Sequence, residues 1–262
     1  MKKHIFILLI LISLSSCVSN KEIIYLQNPS AETSTTAQTY KPYRIQPFDV
    51  LYINLKSTDK DLSSLFSNSE TQTTNVQQVT QSQMYFTGYT VDDHGNIRIP
   101  VLGDVNILGL SIEEVRLKIE KKLLDEYFKE EANLFIDVKL AGFRFTINGE
   151  VAKTGSQVLY QDRVNILEAV ANAGDITLTG NRKEVLIIRT MAHKTETISV
   201  DLTDAKLLES PHFYIQPNDY IYVKPLKQKS WGTGTTGMQT MSTIITGLSV
   251  ITTTILLINN LK

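Results

Sequence analysis

The chain has 262 residues, 42% of them apolar, and a formal net charge of −1. That is enough for one or two domains with real cores, and near-neutrality removes the electrostatic reason to bind nucleic acid. The single cysteine, Cys17, excludes an intrachain disulfide, and the four scattered histidines (His4, His94, His193, His212) lack metal-ligand spacing, so no metal or cofactor is expected.

The first residues, "MKKHIFILLILISLSSC", run from two lysines through an apolar stretch (Ile5 to Leu14) to small residues. This is the order of a secretory signal, predicted over 1–16, and the stretch is short of the ~20 apolar residues a membrane-spanning helix needs. "LSSC" (14–17) resembles a bacterial lipobox, which implies cleavage before Cys17 and lipidation of its thiol; an ordinary signal peptide with a nearby cysteine is the alternative. Several acyl chains together give stable anchoring where one gives only marginal binding. Val18 resembles the outer-membrane sorting position of enteric lipoproteins, and "SNKE" (19–22) resembles a surface-export tag. Residues 17–42 are predicted to be the lipidated N-terminus and a tether, because 28–42 are Ser/Thr/Pro-rich with little apolar surface.

"YRIQPFDVLYI" (43–53) follows, and it returns some 170 residues later as "FYIQPNDYIYV" (213–223). Ile45/Ile215, Gln46/Gln216, Pro47/Pro217, Asp49/Asp219 and Tyr52/Tyr222 are identical. Pro47 and Pro217 suit the second position of a turn, and Asp49 and Asp219 suit bonds to nearby backbone amides. The residues behind each turn are strand formers. Each copy is therefore expected to be a structural turn feeding a strand.

Residues 57–83 are polar, nearly uncharged and read as a long loop. "YTVD" and "NIRIPVLG" then flank "DHGN", whose Gly95 suits a tight hairpin, with Ile97, Ile99 and Val101 alternating as in a half-buried strand. Ser111 and Glu114 have capping-box spacing, and the helix behind them carries Ile112, Val115, Ile119 and Leu123 on one face. "NLFIDVKLA" (133–141) is a strand that ends this first unit, 43–141.

A second unit, 142–226, reads as strands around one short helix. "FRFTINGEV" (143–151) and "QVLYQ" (157–161) are strands; Asn165 caps a helix with Glu168 three residues on and Gly174 at its stop. "EVLIIR" (184–189), "TETISVDL" (195–202) and the second copy of the phrase complete an α+β layout.

In the tail, 227–262, Lys227, Lys229 and Trp231 precede the uncharged segment 238–261. Twenty-four helical residues rise ~36 Å, enough to cross a hydrocarbon core of ~30 Å. Met241, Ile244, Ile245, Leu248, Ile251, Ile255 and Ile258 form an apolar, lipid-facing set. Ser242, Thr246, Ser249 and Thr253 form a second face suited to a wet pore or to neighbouring helices. A simple anchor or a pair of strands are the alternatives.

"YRIQPFDVLYINL" and "YTVDDHGNIRIPVLGDVNILGLSIEEV" resemble the polysaccharide biosynthesis/export domain; "INGEVAKTG", "NILEAVANAGDIT" and "EVLIIR" resemble a soluble-ligand-binding (SLBB) β-grasp domain. With a lipobox in front and a helix behind, the layout is similar to the Wza-like outer-membrane exporters, and "YLQN" (25–28) resembles the start of their Bacteroidetes members. The family usually has Gly where Phe48 stands, which predicts a turn of another type. The resemblance implies a non-enzymatic, lipid-anchored ring, octameric in many members, that passes capsular or exopolysaccharide through the outer membrane from a periplasmic body. It implies an inner-membrane polysaccharide co-polymerase of tyrosine-kinase type as partner. A periplasmic glycan-binding accessory lipoprotein is the alternative. A glycan hydrolase would need paired carboxylates; Asp92 and Asp93 are neighbours in a hairpin, and Asp49 and Asp219 sit in turns.

Overall fold

The computed structural model describes residues 20–28, 42–57, 87–127, 134–191, 194–227 and 237–260. Cys17, Trp231, Lys229 and all but Ser57 of the predicted loop 57–83 lie outside these residues.

The first unit is built on strand β1 (Val50–Lys56). It pairs with the short β2 (Tyr89–Thr90) on one side and, antiparallel, with β5 (Phe135–Leu140) on the other. The register sets Leu51 opposite Leu140 and Leu55 opposite Ile136, so the alternating apolar residues of both strands share the buried face. A β-ribbon, β3 (Asn96–Ile99) with β4 (Gly103–Asn106), and helix α1 (Ile112–Glu126) close over it. Val115, Ile119 and Leu123, one turn apart, are buried in a core with Leu51, Ile97, Val105 and Ile136. The capping box forms as expected: Ser111 Oγ accepts from Glu114 N, and Glu114 Oε2 accepts from Ser111 N.

The turn at Asp92–Asn96 forms as the composition predicts, with Gly95 at φ +83 and a Cβ at that position only 2.3 Å from Leu108. The strand behind it is shorter than predicted. It stops at Ile99, and the chain reverses through Pro100–Leu102 into β4. Val101, expected on the buried face, is 46% exposed with φ +69. Pro100 and Gly103 bracket it, and their turn chemistry overrides the alternation.

The second unit is a five-stranded sheet in the order β7-β6-β10-β8-β9. Its strands are β6 (Phe143–Gly149), β7 (Gly155–Leu159), β8 (Gly180–Met191), β9 (Lys194–Val200) and β10 (Tyr220–Pro225). Helix α2 (Ile166–Asn172), capped by Asn165 and Glu168, packs Ile166, Ala169 and Val170 onto Phe145, Ile147, Ile187 and Ile221. β10, the strand behind the second copy of the phrase, lies at the sheet centre, parallel to β6 and antiparallel to β8. Gly149 permits this arrangement: its φ is +93, and a Cβ there would sit 2.1 Å from the carbonyl oxygen of Val223. The two units keep separate cores, and the chain passes from one to the other through Ala141 and Gly142 between β5 and β6.

Of the lipidated N-terminus and tether expected over 17–42, residues 17–19 and 29–41 lie outside the described residues. Residues 20–28 are docked on the second unit: Leu26 N donates to Leu202 O (3.2 Å), Gln27 N to Thr203 O (2.6 Å), and Ala205 N returns a bond to Gln27 O (3.1 Å). Tyr25 explains the docking, because its ring lies 5.2 Å from the Arg182 guanidinium and its hydroxyl bonds Asp175. Low apolar content further along, in 28–42, gave no hint of these anchors.

Candidate functional site

Helix α3 (Gly237–Asn260) leaves the body after β10. Its stretch Ser242–Asn260 is long and apolar enough to cross a membrane, and none of it is buried against the rest of the chain. Ile245, Leu248, Ile251, Ile255 and Ile258 are all exposed; in a soluble body such a surface would be abnormal. Ile244 is half-exposed, and Met241 lies in the helix one turn before it. On the opposite face the hydroxyls of Thr246, Ser249 and Thr253 donate to Ser242 O (2.7 Å), Thr246 O (2.8 Å) and Ser249 O (2.7 Å). Each hydroxyl proton is thus satisfied within the helix, so this face tolerates either a neighbouring helix or a wet lumen.

The body also brings the two copies of the phrase together. Each turn is of the type with proline second and a positive φ third: Asp49 N donates to Gln46 O (3.3 Å) and Asp219 N to Gln216 O (3.2 Å), with φ +70 at Phe48 and +67 at Asn218. The expectation of another turn type at Phe48 is therefore corrected. The geometry that usually takes glycine is kept, and the ring is left 74% exposed above it. Asp49 Oδ2 accepts from Gln46 N at 2.9 Å, and Asp219 Oδ2 from Gln216 N at 2.7 Å. Pro47 and Pro217 supply the fixed φ that starts each turn.

Beyond these local bonds the two aspartates differ. Asp219 is buried beneath Arg189, which reaches it with Nε to Oδ1 (2.9 Å) and Nη2 to Oδ2 (2.7 Å). Among the described residues no cation pairs with Asp49; it accepts from the Tyr43 hydroxyl (2.8 Å) and, across the domain junction, from Asn218 Nδ2 (3.1 Å). Burial pushes the Asp49 carboxyl above its usual range, against the pull of Gln46 N, Tyr43 and Asn218. Burial, then the Asp49 charge, raises the Tyr43 phenol far above its usual value. A cavity of about 200 Å³ opens beside this contact, between Phe48 and Thr90 of the first unit and Val158 and Pro217 of the second.

Arg189 was missed in the sequence although a signal existed. In "EVLIIRT" it falls in step with Val185 and Ile187, on the buried face of β8, where a lone cation needs a buried partner. Asn218 and Tyr43 carried no such signal. Asp92, Asp93 and His94 cluster at the surface, within 4.8 Å of one another. Asp92 Oδ1 accepts from His94 N (2.9 Å) and Asn96 N (2.7 Å), and the bond from Asn96 N leads in holding its carboxyl below the usual range.

Residues 37–139 match the polysaccharide biosynthesis/export protein family, and residues 143–223 match the SLBB domain. The chain belongs to the Wza-like polysaccharide export proteins. The two matched stretches meet at the Ala141–Gly142 junction, so the family boundary and the physical boundary between the two cores agree. Polysaccharide export and binding, in association with the cell envelope, are the roles of this family.

Proposed function

We propose that this export protein is an outer-membrane lipoprotein whose copies form a ring-shaped, non-enzymatic conduit for capsular or exopolysaccharide. The observation that carries the reading is α3, an apolar helix of membrane-crossing length that no surface among the described residues covers. In a ring, its hydroxyl face (Ser242, Thr246, Ser249, Thr253) meets neighbouring helices or the lumen, and its isoleucine face meets lipid. Weak, replaceable hydrogen bonds suit a lumen that must not trap a moving polymer.

Both membrane attachments leave from the SLBB domain. Lipidated Cys17 lies three residues before the docked segment Asn20–Asn28, and β10 leads into α3. The SLBB domain then sits beneath the membrane, and the export domain faces the periplasm and the co-polymerase. Octameric closure is the family's habit and is proposed here on that basis.

Deleting 237–262 tests the reading. Surface polysaccharide should disappear while the body stays folded and lipidated. Normal surface polysaccharide with the truncated chain as sole copy would refute the conduit and favour a glycan-binding accessory.

A further inference from the structure

A groove of about 770 Å³ runs along the outer face of the export domain to the SLBB domain. That volume falls within the range of clefts that hold small ligands, ~300–1,000 Å³. On one wall Tyr52 points away from the core side of β1 and is 40% exposed. Lys139 stands opposite it in the β1–β5 register. On the other wall Tyr160, 59% exposed, begins the run Tyr160–Gln161–Asp162 just after β7. Glu113, at the start of α1, also lines the groove.

An exposed tyrosine offers a flat apolar face with a polar tip, and two of them on facing walls are a costly use of surface in a body with sound cores. The polar groups between them have a definite charge character. Lys139 lies 3.7 Å from Asp137 and Glu113 lies 2.6 Å from Arg116, while Asp162 is exposed. Among the described lining residues one cation, Lys139, stands against two carboxylates, Glu113 and Asp162, so the lining is net negative and disfavours an acidic chain. Pyranose rings carry apolar C–H faces and a rim of hydroxyls. The first stack on tyrosine rings, and the second donate to carboxylates and to the Gln161 amide.

We propose that this groove is a glycan subsite that takes a neutral pyranose chain, with Tyr52 and Tyr160 as stacking residues and Gln161 and Asp162 as hydroxyl acceptors. It rests on the export reading above and adds to it a contact point on the periplasmic body. Because its walls belong to different domains, an occupied groove also bridges their junction.

The test uses the full-length lipoprotein in detergent. Probes are neutral hexasaccharides of β-1,4-glucose, α-1,4-glucose and β-1,4-mannose, neutral oligosaccharides cut from the host's own surface polysaccharide, and a hyaluronan hexasaccharide as acidic comparator. Binding is read by saturation-transfer NMR and titration. At least one neutral glycan should bind, more tightly than hyaluronan. Tyr52→Ala and Tyr160→Ala should each weaken it roughly three- to ten-fold, the scale of one lost aromatic contact. Gln161→Ala, at an exposed loop position that leaves the fold intact, should weaken it as well; Phe135→Ala, at an exposed site outside the groove, should not.

Three results would overturn the proposal: no neutral glycan binds, hyaluronan binds as tightly, or the tyrosine and Gln161 variants leave affinity unchanged. If instead those variants alter the sedimentation of the particle and not its glycan affinity, the groove is a contact between copies, and the proposal also fails. Export in cells separates this failure from that of the export reading. A deletion strain that still exports refutes the reading, whereas groove variants with native binding refute only the subsite.

Discussion

Asp219→Ala is the most informative single change. The Arg189 and Asp219 side chains are 8% and 1% exposed, and the carboxylate accepts three bonds, two from the guanidinium and one from Gln216 N. Alanine leaves the guanidinium buried without a counter-charge. Breaking a buried pair on one side costs about 3–5 kcal/mol, against at most about 1 kcal/mol for an exposed pair. In a domain with roughly 5–15 kcal/mol of total stability this is a large fraction. A domain of this size loses ~4–8 °C of Tm per kcal/mol, so a fall of at least ~12 °C in the SLBB transition is expected. Thermal unfolding of the full chain in detergent, followed by circular dichroism, measures it, and electron micrographs report assembly. The double variant Arg189→Met with Asp219→Leu should recover most of the loss, because an apolar pair of similar volume removes both desolvation penalties. A single variant within about 1 kcal/mol of wild type would refute the argument. So would a double variant as unstable as the single one. Intact stability and assembly with transport stopped would make the phrase a functional site rather than a structural one.

Phe48→Gly should stabilise the chain. A non-glycine residue at φ +70 is strained by roughly 1–2 kcal/mol, the exposed ring returns little packing, and glycine's extra chain entropy offsets about half. A rise of a few degrees in Tm checks this, and a fall of similar size would show that the ring makes contacts in the assembly. Asp49 gives a pH prediction. Its native carboxyl titrates above the usual carboxylate range, so the folded state holds that proton more tightly than the unfolded chain does. Acidification through that window adds stability, the reverse of the contribution from Glu114, whose carboxyl the Ser111 amide holds low. Asp49→Asn removes the Asp49 contribution, so its Tm should drop more steeply than wild type as pH falls from 6 to 4.

The elements were largely legible in the sequence because local rules agree with the fold. Both capping boxes, the hairpin glycine Gly95 and the alternation in β5 and β6 each have one physical meaning at short range. What was missed depends on long-range placement. β4 (Gly-Asp-Val-Asn) offers a single apolar side chain, Val105, so its pattern is weak and its existence rests on the turn at Pro100–Leu102. The docking of Tyr25 on Arg182 joins residues 157 apart in sequence, and no periodicity announces it. The candidate site divides the same way. The tail's two faces follow from helical spacing alone, whereas the groove exists only because β1 and the loop after β7 are brought together.

The repeated phrase shows how the two levels combine. Its identical residues are the local ones: proline starts the turn, aspartate closes it onto the glutamine amide, and an apolar strand follows. Such a unit works wherever a strand must be entered sharply, so its recurrence alone implies nothing about contact between the copies. Among the positions that differ, Phe48 against Asn218 is where the copies meet. Both residues hold a left-handed φ, which aims the side chain out of its own turn. Asparagine tolerates that conformation best among non-glycine residues and carries a donor to Asp49 of the other copy; phenylalanine leaves its ring beside the junction cavity. Exchanging the two would abolish the Asn218–Asp49 bond and set a second aromatic ring against a buried carboxylate. The junction thus takes its polarity from one of the slots in which the copies diverge. Together with the Ala141–Gly142 link, that slot fixes how the export domain is carried by the SLBB domain.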